Sequence, residues 1–265
     1  MHTVADLDDL RSRIDQLDGA LIAIVAERLA VCRQVADVKA GSDTPVIQPA
    51  RVRDVVTTRR QQAIEAGIDP DFAEQLFRVL LTETHRIEVA GHRPDAAPEK
   101  PATTAEAHSG LDTVATRVDH IVVAVDDIDL ATSTLQERFG FRRVPMAGAA
   151  RPGICPLAAG GVTLVLVGPQ ASPSVAAYLE QHGQGVQHVA VEVLNAGFAR
   201  ACLADAGTPL LTDVLVDDDG HEQFFAATEP AAGLQLGFIS RTGHRVGVGA
   251  DNVLALFDAI RPTEP

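Results

Sequence analysis

Residues 7–38 read LDDLRSRIDQLDGALIAIVAERLAVCRQVADV, and the spacing of their apolar residues determines the predicted fold of the first part of the chain. Two positions in every seven form a regular series along it. The series are Leu7, Ile14, Leu21, Arg28, Val35 and Leu10, Leu17, Ile24, Val31, Val38. All of these except Arg28 are apolar, which predicts one long helix over roughly residues 4–40 with an apolar seam along one side.

Two shorter helices are expected after the long one. One covers residues 49–66, with Pro49 in its first turn, and the other covers residues 70–91, with Asp69 as its N-cap. The long helix measures about 55 Å at about 1.5 Å per residue, so the two shorter helices cannot cover its seam along the whole length. The sequence therefore predicts a homodimer in which the long helices of two chains pair.

The composition changes near residue 93. Residues 93–116 are rich in Pro, Ala and Thr and show no periodicity, which predicts a flexible linker. Beyond it, residues 117–141 match residues 185–209, each with a strand that carries His at its fourth residue and then a helix. Further apolar strands follow each copy, so a duplicated βαβββ unit is the simplest interpretation.

The predicted architecture is multidomain. An all-α domain of three helices, which forms an intertwined dimer, covers residues 1–92, and the linker follows it. An α+β domain of two βαβββ modules covers residues 117–262 and ends in an amphipathic helix over residues 252–260.

The bulk composition excludes several classes of protein. A net charge of −14 disfavours nucleic acid and anionic membranes as partners. Three widely spaced cysteines form neither a disulfide framework nor a zinc signature. No apolar run reaches the roughly 18 residues of a membrane span, and the acidic start MHTVADLDDL is unlike a secretory signal. A cytoplasmic protein is expected.

Cations accompany the apolar seam although the chain is acidic. Lys39 lies eleven residues after Arg28, about three turns, and so shares its face. Arg28 alone could be a snorkelling side chain or one member of a buried ion pair. Together with Lys39, Arg11 and Arg51 it indicates a buried dianionic ligand, because carboxylates removed from water need charged or bidentate donors.

Residues 7–92 resemble the all-helical chorismate mutase family. The matching segments are LRSRIDQLD (10–18), AERLAV (26–31), LFRVLLTETHRIE (76–88), Lys39 and Arg51. The resemblance implies an isomerase that converts chorismate to prephenate by a pericyclic Claisen rearrangement, without a metal or other cofactor. Such a reaction needs only the reactive conformer and stabilisation of the negative charge on the breaking C–O oxygen.

The resemblance also implies roles for individual residues. Arg28 and Arg51, with Arg11 from the partner chain, are expected to hold the two substrate carboxylates. Lys39 is expected to donate to the ether oxygen. Thr84 stands where the family often has Ser, near the ring carboxylate.

Glu88 completes the catalytic set that the resemblance implies, with Lys39 and Arg28. It stands where family members carry Gln or Glu. It can donate a hydrogen bond only when protonated.

Gln48 and Val52 depart from the family pattern. Many members have acidic residues at these two substrate-binding positions, near the hydroxyl of the substrate. The Arg51-Val52 pair also resembles isochorismate pyruvate lyases, and a 4-amino-4-deoxychorismate mutase is a third option. Chorismate is the favoured substrate, and the other two remain open.

Residues 117–262 resemble a vicinal oxygen chelate domain, in particular the catalytic half of 4-hydroxyphenylpyruvate dioxygenase and hydroxymandelate synthase. The matching segments are VDHIVVAV (118–125), VQHVAVEV (186–193), LQLGFISR (234–241) and GVGADNVLALFDAI (247–260). In that family two His and one Glu hold Fe(II). His120 and His188 match the two His, but Gly237 stands at the position of the Glu, and Val165 at the equivalent site of the first repeat.

Several interpretations of this incomplete triad stay open. His120 and His188 could hold a metal such as Fe(II) with water or another anion, or with His221 or Glu222 as a replacement ligand. They could also be inherited positions that bind no metal. The domain would then be a sensor of aromatic metabolites or a dimerisation module.

Overall fold

The computed structural model describes residues 7–42, 44–90, 110–146, 151–217, 220–241 and 249–260. The chain divides into two compact units, Met1–Val46 with Glu83–Ala96, and Ile47–Thr82 with Ala97–Pro265. This division differs from the predicted domain boundary, because the second helix and most of the third belong to the same unit as the C-terminal sheet.

Most of the predicted linker, residues 93–109, lies outside the described residues. The end of that segment differs from the expectation of a flexible connection. Residues 110–114 are helical, and the first strand begins at Ala115. Val114 is fully buried, so the chain has already entered a hydrophobic core at this point.

Three helices precede this segment, as the periodicity predicts. They are α1 (Leu7–Ala40), α2 (Pro49–Glu65) and α3 (Pro70–Ala90). Pro49 lies in the first turn of α2, where its missing N–H costs no intrahelical bond. Asp69 caps α3, since its Oδ1 accepts from the backbone N–H of Asp71 at 2.8 Å and of Phe72 at 2.9 Å.

The long helix α1 buries only a narrow strip of its surface. Among the described residues of α1, Cys32 and Ala36 are buried, and they share a face with Arg28 and Lys39. The nine apolar residues of the seam are between 40% and 73% exposed. The seam is therefore uncovered within one chain, as the lengths of the helices predict.

A single eight-stranded sheet organises the described part of the C-terminal domain. Its elements are β1 (Ala115–Ala124), α4 (Ile128–Phe139), β2 (Arg142–Arg143), β3 (Ile154–Ala159), β4 (Val162–Val167), α5 (Pro173–His182), β5 (Gly185–Val193), α6 (Ala196–Asp205), β6 (Leu215–Val216), β7 (Glu222–Phe225), β8 (Leu236–Ser240) and α7 (Ala250–Ala259). The strand order is β2-β3-β4-β1-β5-β8-β7-β6. Each module places its first strand parallel to its last, and β1 pairs with β5 antiparallel at the centre. The two predicted βαβββ modules are confirmed.

Three hydrophobic clusters hold the sheet and its helices together. The first packs α5 and α7 against the face of β1 and β4 that carries Val122 and Val165. The second packs α6 against β5, β7 and β8. The third packs α4 against β3 and β4. None of the helices in the described part of the chain is long and apolar enough to cross a membrane.

Candidate functional site

Arg28 on α1 contacts Thr84 on α3. A guanidinium N–H of Arg28 donates to Thr84 Oγ1 at 2.8 Å, although the two residues are 56 positions apart in sequence. Cys32 Sγ lies 3.5 Å from the same hydroxyl and 3.8 Å from Arg28 Nη1. Two residues that the resemblance assigns to carboxylate binding are therefore direct neighbours.

Lys39 on α1 and Glu88 on α3 form an ion pair. Lys39 Nζ lies 2.7 Å from Glu88 Oε2, and the side chains are only 12% and 9% exposed. The ammonium group also donates to the backbone carbonyl of Val46 at 2.9 Å. An ammonium has three N–H donors, so these two contacts leave one for a further oxygen atom.

The other predicted substrate-binding residues have different surroundings. Arg11 is exposed on α1 and contacts Asp8 at 3.2 Å. Gln48 is the half-buried N-cap of α2 and makes no side-chain cap bond, and Arg51 is exposed in the first turn. Val52 is half-buried and packs against the second hydrophobic cluster. Contact of Val52 with a substrate remains a prediction, since its side chain is engaged in a core.

His120 and His188 lie at the centre of the sheet, on β1 and β5, with ring centroids 5.7 Å apart. Both side chains are essentially fully buried. His120 Nδ1 lies 2.7 Å from Asp119 Oδ1, and His188 Nδ1 lies 2.5 Å from Gln187 Oε1. Because these oxygens accept, each Nδ1 donates its proton to the residue that precedes the histidine. Neither Nε2 has a hydrogen-bond partner among the described residues.

The surroundings of His188 and Asp119 determine the charge of each of these two groups. Burial lowers the pKa of His188 well below its ordinary value of 6.5, and His120 adds to the effect, so His188 is neutral. Burial opposes ionisation of Asp119, yet hydrogen bonds from Arg241 and His120 outweigh it and hold the pKa of that carboxyl well below 3.8. Arg241 donates through Nε and Nη2, each at 2.6 Å. Asp119 is therefore a buried anion that fixes the orientation of His120.

Gly237 stands at the position of the Glu ligand in the iron-binding relatives, and the surrounding side chains leave no room for a carboxylate there. A Cβ atom at Gly237 would lie 2.9 Å from Phe225 Cε1 and 3.1 Å from His188 Cδ2. Val165, the equivalent position in the first module, lies in the first hydrophobic cluster. Within the described ranges, no group of three or more His, Cys, Asp or Glu residues could hold a metal ion. These residues do not fit a site of two His and one carboxylate.

The proposed replacement ligands do not supply the carboxylate. On β7, Phe225 pairs with Gly237 and Glu222 pairs with Ser240, so Glu222 faces the opposite side of the sheet from Phe225. Burial there raises the pKa of Glu222. His221 is buried just before β7, and its backbone N–H donates to Asp217 at 2.8 Å. Its use as a ligand is a prediction without support from these contacts.

Residues 10–89 match the family model described as chorismate mutase type II. The 4-amino-4-deoxychorismate mutase of Streptomyces venezuelae is 34% identical over 83 residues, which are 31% of this chain and 81% of that protein. The chain belongs to the type II chorismate mutase family. Residues 119–225 match the model of the glyoxalase, bleomycin resistance protein and dioxygenase superfamily, so the C-terminal part of this family member is a vicinal oxygen chelate domain.

Two further relatives match only the N-terminal part of this chorismate mutase family member. The 4-amino-4-deoxychorismate mutase of Streptomyces pristinaespiralis is 38% identical over 82 residues, 31% of this chain and 64% of that protein. The T-protein of Enterobacter agglomerans is 34% identical over 85 residues, 32% of this chain and 23% of that protein. The chain thus spans less than two thirds of the length of these two proteins. Among solved structures, methylmalonyl-CoA epimerase from Mycobacterium tuberculosis covers 48% of this chain and 89% of its own, with 22% identity and a TM-score of 0.42.

Sequence reasoning missed several residues that shape the two sites. The repeated dipeptides Asp119-His120 and Gln187-His188 could have predicted the partners of the two histidines, because each copy of the repeat has a hydrogen-bond acceptor directly before its histidine. Arg241 and Phe225 gave no such signal. Their roles depend on strand pairing between distant segments.

Proposed function

We propose that this chain rearranges chorismate to prephenate. The observation that supports the proposal is the pair of half-buried cations on α1, with Arg28 against Thr84 and Lys39 against Glu88. A Claisen rearrangement breaks one C–O bond and forms one C–C bond within the substrate, with no net proton transfer. The site must therefore hold the folded conformer and stabilise negative charge on the departing oxygen.

The chemistry of each residue follows from its donors. Arg28 offers a planar set of N–H groups to a carboxylate, and Thr84 positions one of them. Lys39 has one N–H left for the ether oxygen of the substrate. Its ammonium group gains interaction energy as charge grows on that oxygen, so it lowers the barrier more than it strengthens substrate binding. Arg11 from a second chain and Arg51 are proposed to hold the remaining carboxylate.

The substrate is tested by incubating the full chain separately with chorismate, isochorismate and 4-amino-4-deoxychorismate, followed by product analysis. We expect prephenate from chorismate as the main activity. Lys39→Met should reduce kcat by about a thousandfold, on the scale of losing one charge-stabilising donor, while Arg33→Met, an exposed cation of the same helix, should leave it unchanged. No turnover of any of the three compounds would contradict the proposal.

A second candidate is 4-amino-4-deoxychorismate mutase activity. It is favoured by two relatives that are 4-amino-4-deoxychorismate mutases, 38% and 34% identical to this chain, and by the absence of acidic residues at positions 48 and 52, which are Gln48 and Val52. In the same assay, faster turnover of the amino compound than of chorismate would establish it. Release of pyruvate from isochorismate would favour the lyase instead.

For the C-terminal domain we propose a binding function in place of iron-dependent oxygenation, either as a sensor of aromatic metabolites or as a dimerisation module. The supporting observation is the contact that Phe225 would make with any side chain at position 237. After anaerobic loading with Fe(II), we expect no stoichiometric iron and no oxygen uptake with 4-hydroxyphenylpyruvate. One iron per chain together with oxygen uptake would overturn this proposal, and mutase rates that change with Tyr or Phe would favour the sensor.

Two features of the whole protein are also proposed. The exposed seam of α1 supports a homodimer. Cys32 and Cys155 are buried thiols outside any disulfide, which is typical of a reducing compartment and supports the cytoplasm.

A further inference from the structure

The start of α2 belongs to the hydrophobic core of the C-terminal domain. Ile47, just before the helix, is only 3% exposed and lies in one cluster with Phe198, Phe224 and Phe238. Val52, in the first turn of α2, packs against the same cluster. Burial of an aliphatic side chain stabilises the folded state, so these two anchors fix the position of the turn.

A second set of contacts ties α2 and α3 to the segment that precedes β1. Arg78 on α3 donates to the backbone carbonyls of Asp112 at 3.1 Å and of Ala115 at 2.9 Å. Arg53 on α2 donates to Thr113 Oγ1 at 3.5 Å. These bonds are independent of the apolar anchors and hold the same two helices.

The segment that receives these bonds is itself fixed to the C-terminal domain. Val114 is fully buried in the second cluster, and its carbonyl accepts from the backbone N–H of Leu194 at 2.9 Å. A Cβ atom at Gly110 would lie 2.2 Å from Cys202 Sγ, so the chain approaches α6 as closely as a glycine allows. The α2 start, residues 110–115 and α6 therefore form one continuous packed body.

We infer that the C-terminal domain positions Arg51 for substrate binding, with Ile47 and Val52 as positioning residues. This inference rests on the proposed mutase function, in which Arg51 binds a substrate carboxylate. Arg51 lies between the two anchors in sequence and is itself exposed. Its guanidinium reaches a ligand at a fixed place only if the turn that carries it is held. The C-terminal domain is then a part of the mutase and not an independent appendage.

The test compares Ile47→Ala with Leu179→Ala in the full chain. Leu179 is a matched control, because it is a buried aliphatic side chain of the same size in the same domain. It lies in the first hydrophobic cluster, which contains no residue of α2. We expect Ile47→Ala to raise KM for the substrate about tenfold with kcat within about twofold, the pattern of lost binding common to ground and transition states. Leu179→Ala should lower stability without changing KM.

Arg78→Gln provides a second variant that leaves the apolar core intact. It removes the bonds to the carbonyls of Asp112 and Ala115, together with an ion pair to Glu74 within α3, and should raise KM about threefold. Arg60→Gln removes the two ion pairs of Arg60 with Asp71 and Glu74 of α3 and should leave KM unchanged. Equal KM values for wild type, Ile47→Ala and Arg78→Gln would overturn the inference.

Hydrogen exchange separates failure of the inference from failure of the proposed function. Ile47→Ala should speed exchange in the first turns of α2, and Leu179→Ala should not. If the wild-type chain turns over no substrate, the proposed function fails, and the positioning of α2 is then judged by exchange alone. Unchanged exchange in Ile47→Ala would overturn it.

Discussion

At the scale of single residues, the histidine pair shows how burial sets a charge state. His188 is surrounded by Phe225, whose ring stands edge-on at 5.3 Å, and by His120. Its side-chain hydrogen-bond partner is Gln187, whose oxygen already accepts from Nδ1. A proton on Nε2 would therefore be buried without an acceptor among the described residues, and protonation is strongly disfavoured.

The lowered pKa of His188 predicts a pH-dependent stability for the C-terminal domain. In the unfolded chain this histidine takes up a proton near pH 6.5, whereas in the folded domain it stays neutral to a much lower pH. The stability is therefore complete above pH 6.5 and falls as the pH drops below it, by up to about 1.4 kcal/mol per pH unit for one proton. His188→Gln should reduce this slope.

The measurement can be made specific to this domain. Tyr178 is the only tyrosine, the chain has no tryptophan, and Tyr178 packs on α7 against Phe257 at 5.3 Å. Urea unfolding followed by tyrosine fluorescence between pH 5 and 8 thus reports on the C-terminal domain. Leu157→Ala is the control, since it lowers stability without removing a titrating group. Equal slopes in wild type and His188→Gln would contradict the prediction.

At the scale of elements, periodicity predicted some helices and strands well and others not at all. The apolar repeat located α1 to within three residues at its start, and the proline and aspartate at the helix starts located α2 and α3. The matched repeats located β1 and β5 because each strand is long and half of it is buried. Long elements carry enough repeats of their pattern to be recognised.

The positions of elements with few or interrupted repeats were not predicted. β3 contains Pro156 at a paired position opposite Val165, and a proline within a short run argues against a strand. β2 and β6 have two residues each, too few for any alternation. α5 has ten residues, and its signals, Ser172 as N-cap and Pro173 after it, were present but unused.

In the candidate sites, too, local spacing was predictable from the sequence, and contacts between distant segments were not. Helical spacing predicts that Arg28 and Lys39 share a face of α1 and that Thr84 and Glu88 share a face of α3, while the roles of these four residues at a substrate stay predictions. Asp119 on β1 forms an ion pair with Arg241 at the end of β8, 122 positions away in sequence. A local sequence pattern cannot predict a contact between segments so far apart. The packing of Val52 against the second hydrophobic cluster was not predictable for the same reason, because its partners come from β5, α6, β7 and β8.

At the scale of the whole molecule, the described residues show two different kinds of apolar surface. The second hydrophobic cluster uses Ile47 and Val52 to join α2 to the sheet and is closed. The seam of α1 is open, with nine apolar residues at least 40% exposed along about 47 Å of helix at about 1.5 Å per residue. An apolar stripe of this length in water is typical of an interface between chains.

The seam predicts that dimer formation and mutase activity are lost together. Leu17→Glu with Ile24→Glu places two charges at the centre of the seam, where pairing of two α1 helices would bury them opposite each other. The double variant should sediment as a monomer, and the proposed mutase activity should fall at least a hundredfold, because the contribution that we propose for Arg11 to the site of a second chain would be lost. Gln16→Glu with Ala23→Glu adds the same charge to the same helix at exposed positions outside the seam. This control should remain a dimer with unchanged activity. A wild-type chain that sediments as a monomer while turning over substrate would refute both the interface and the contribution of Arg11 from a second chain.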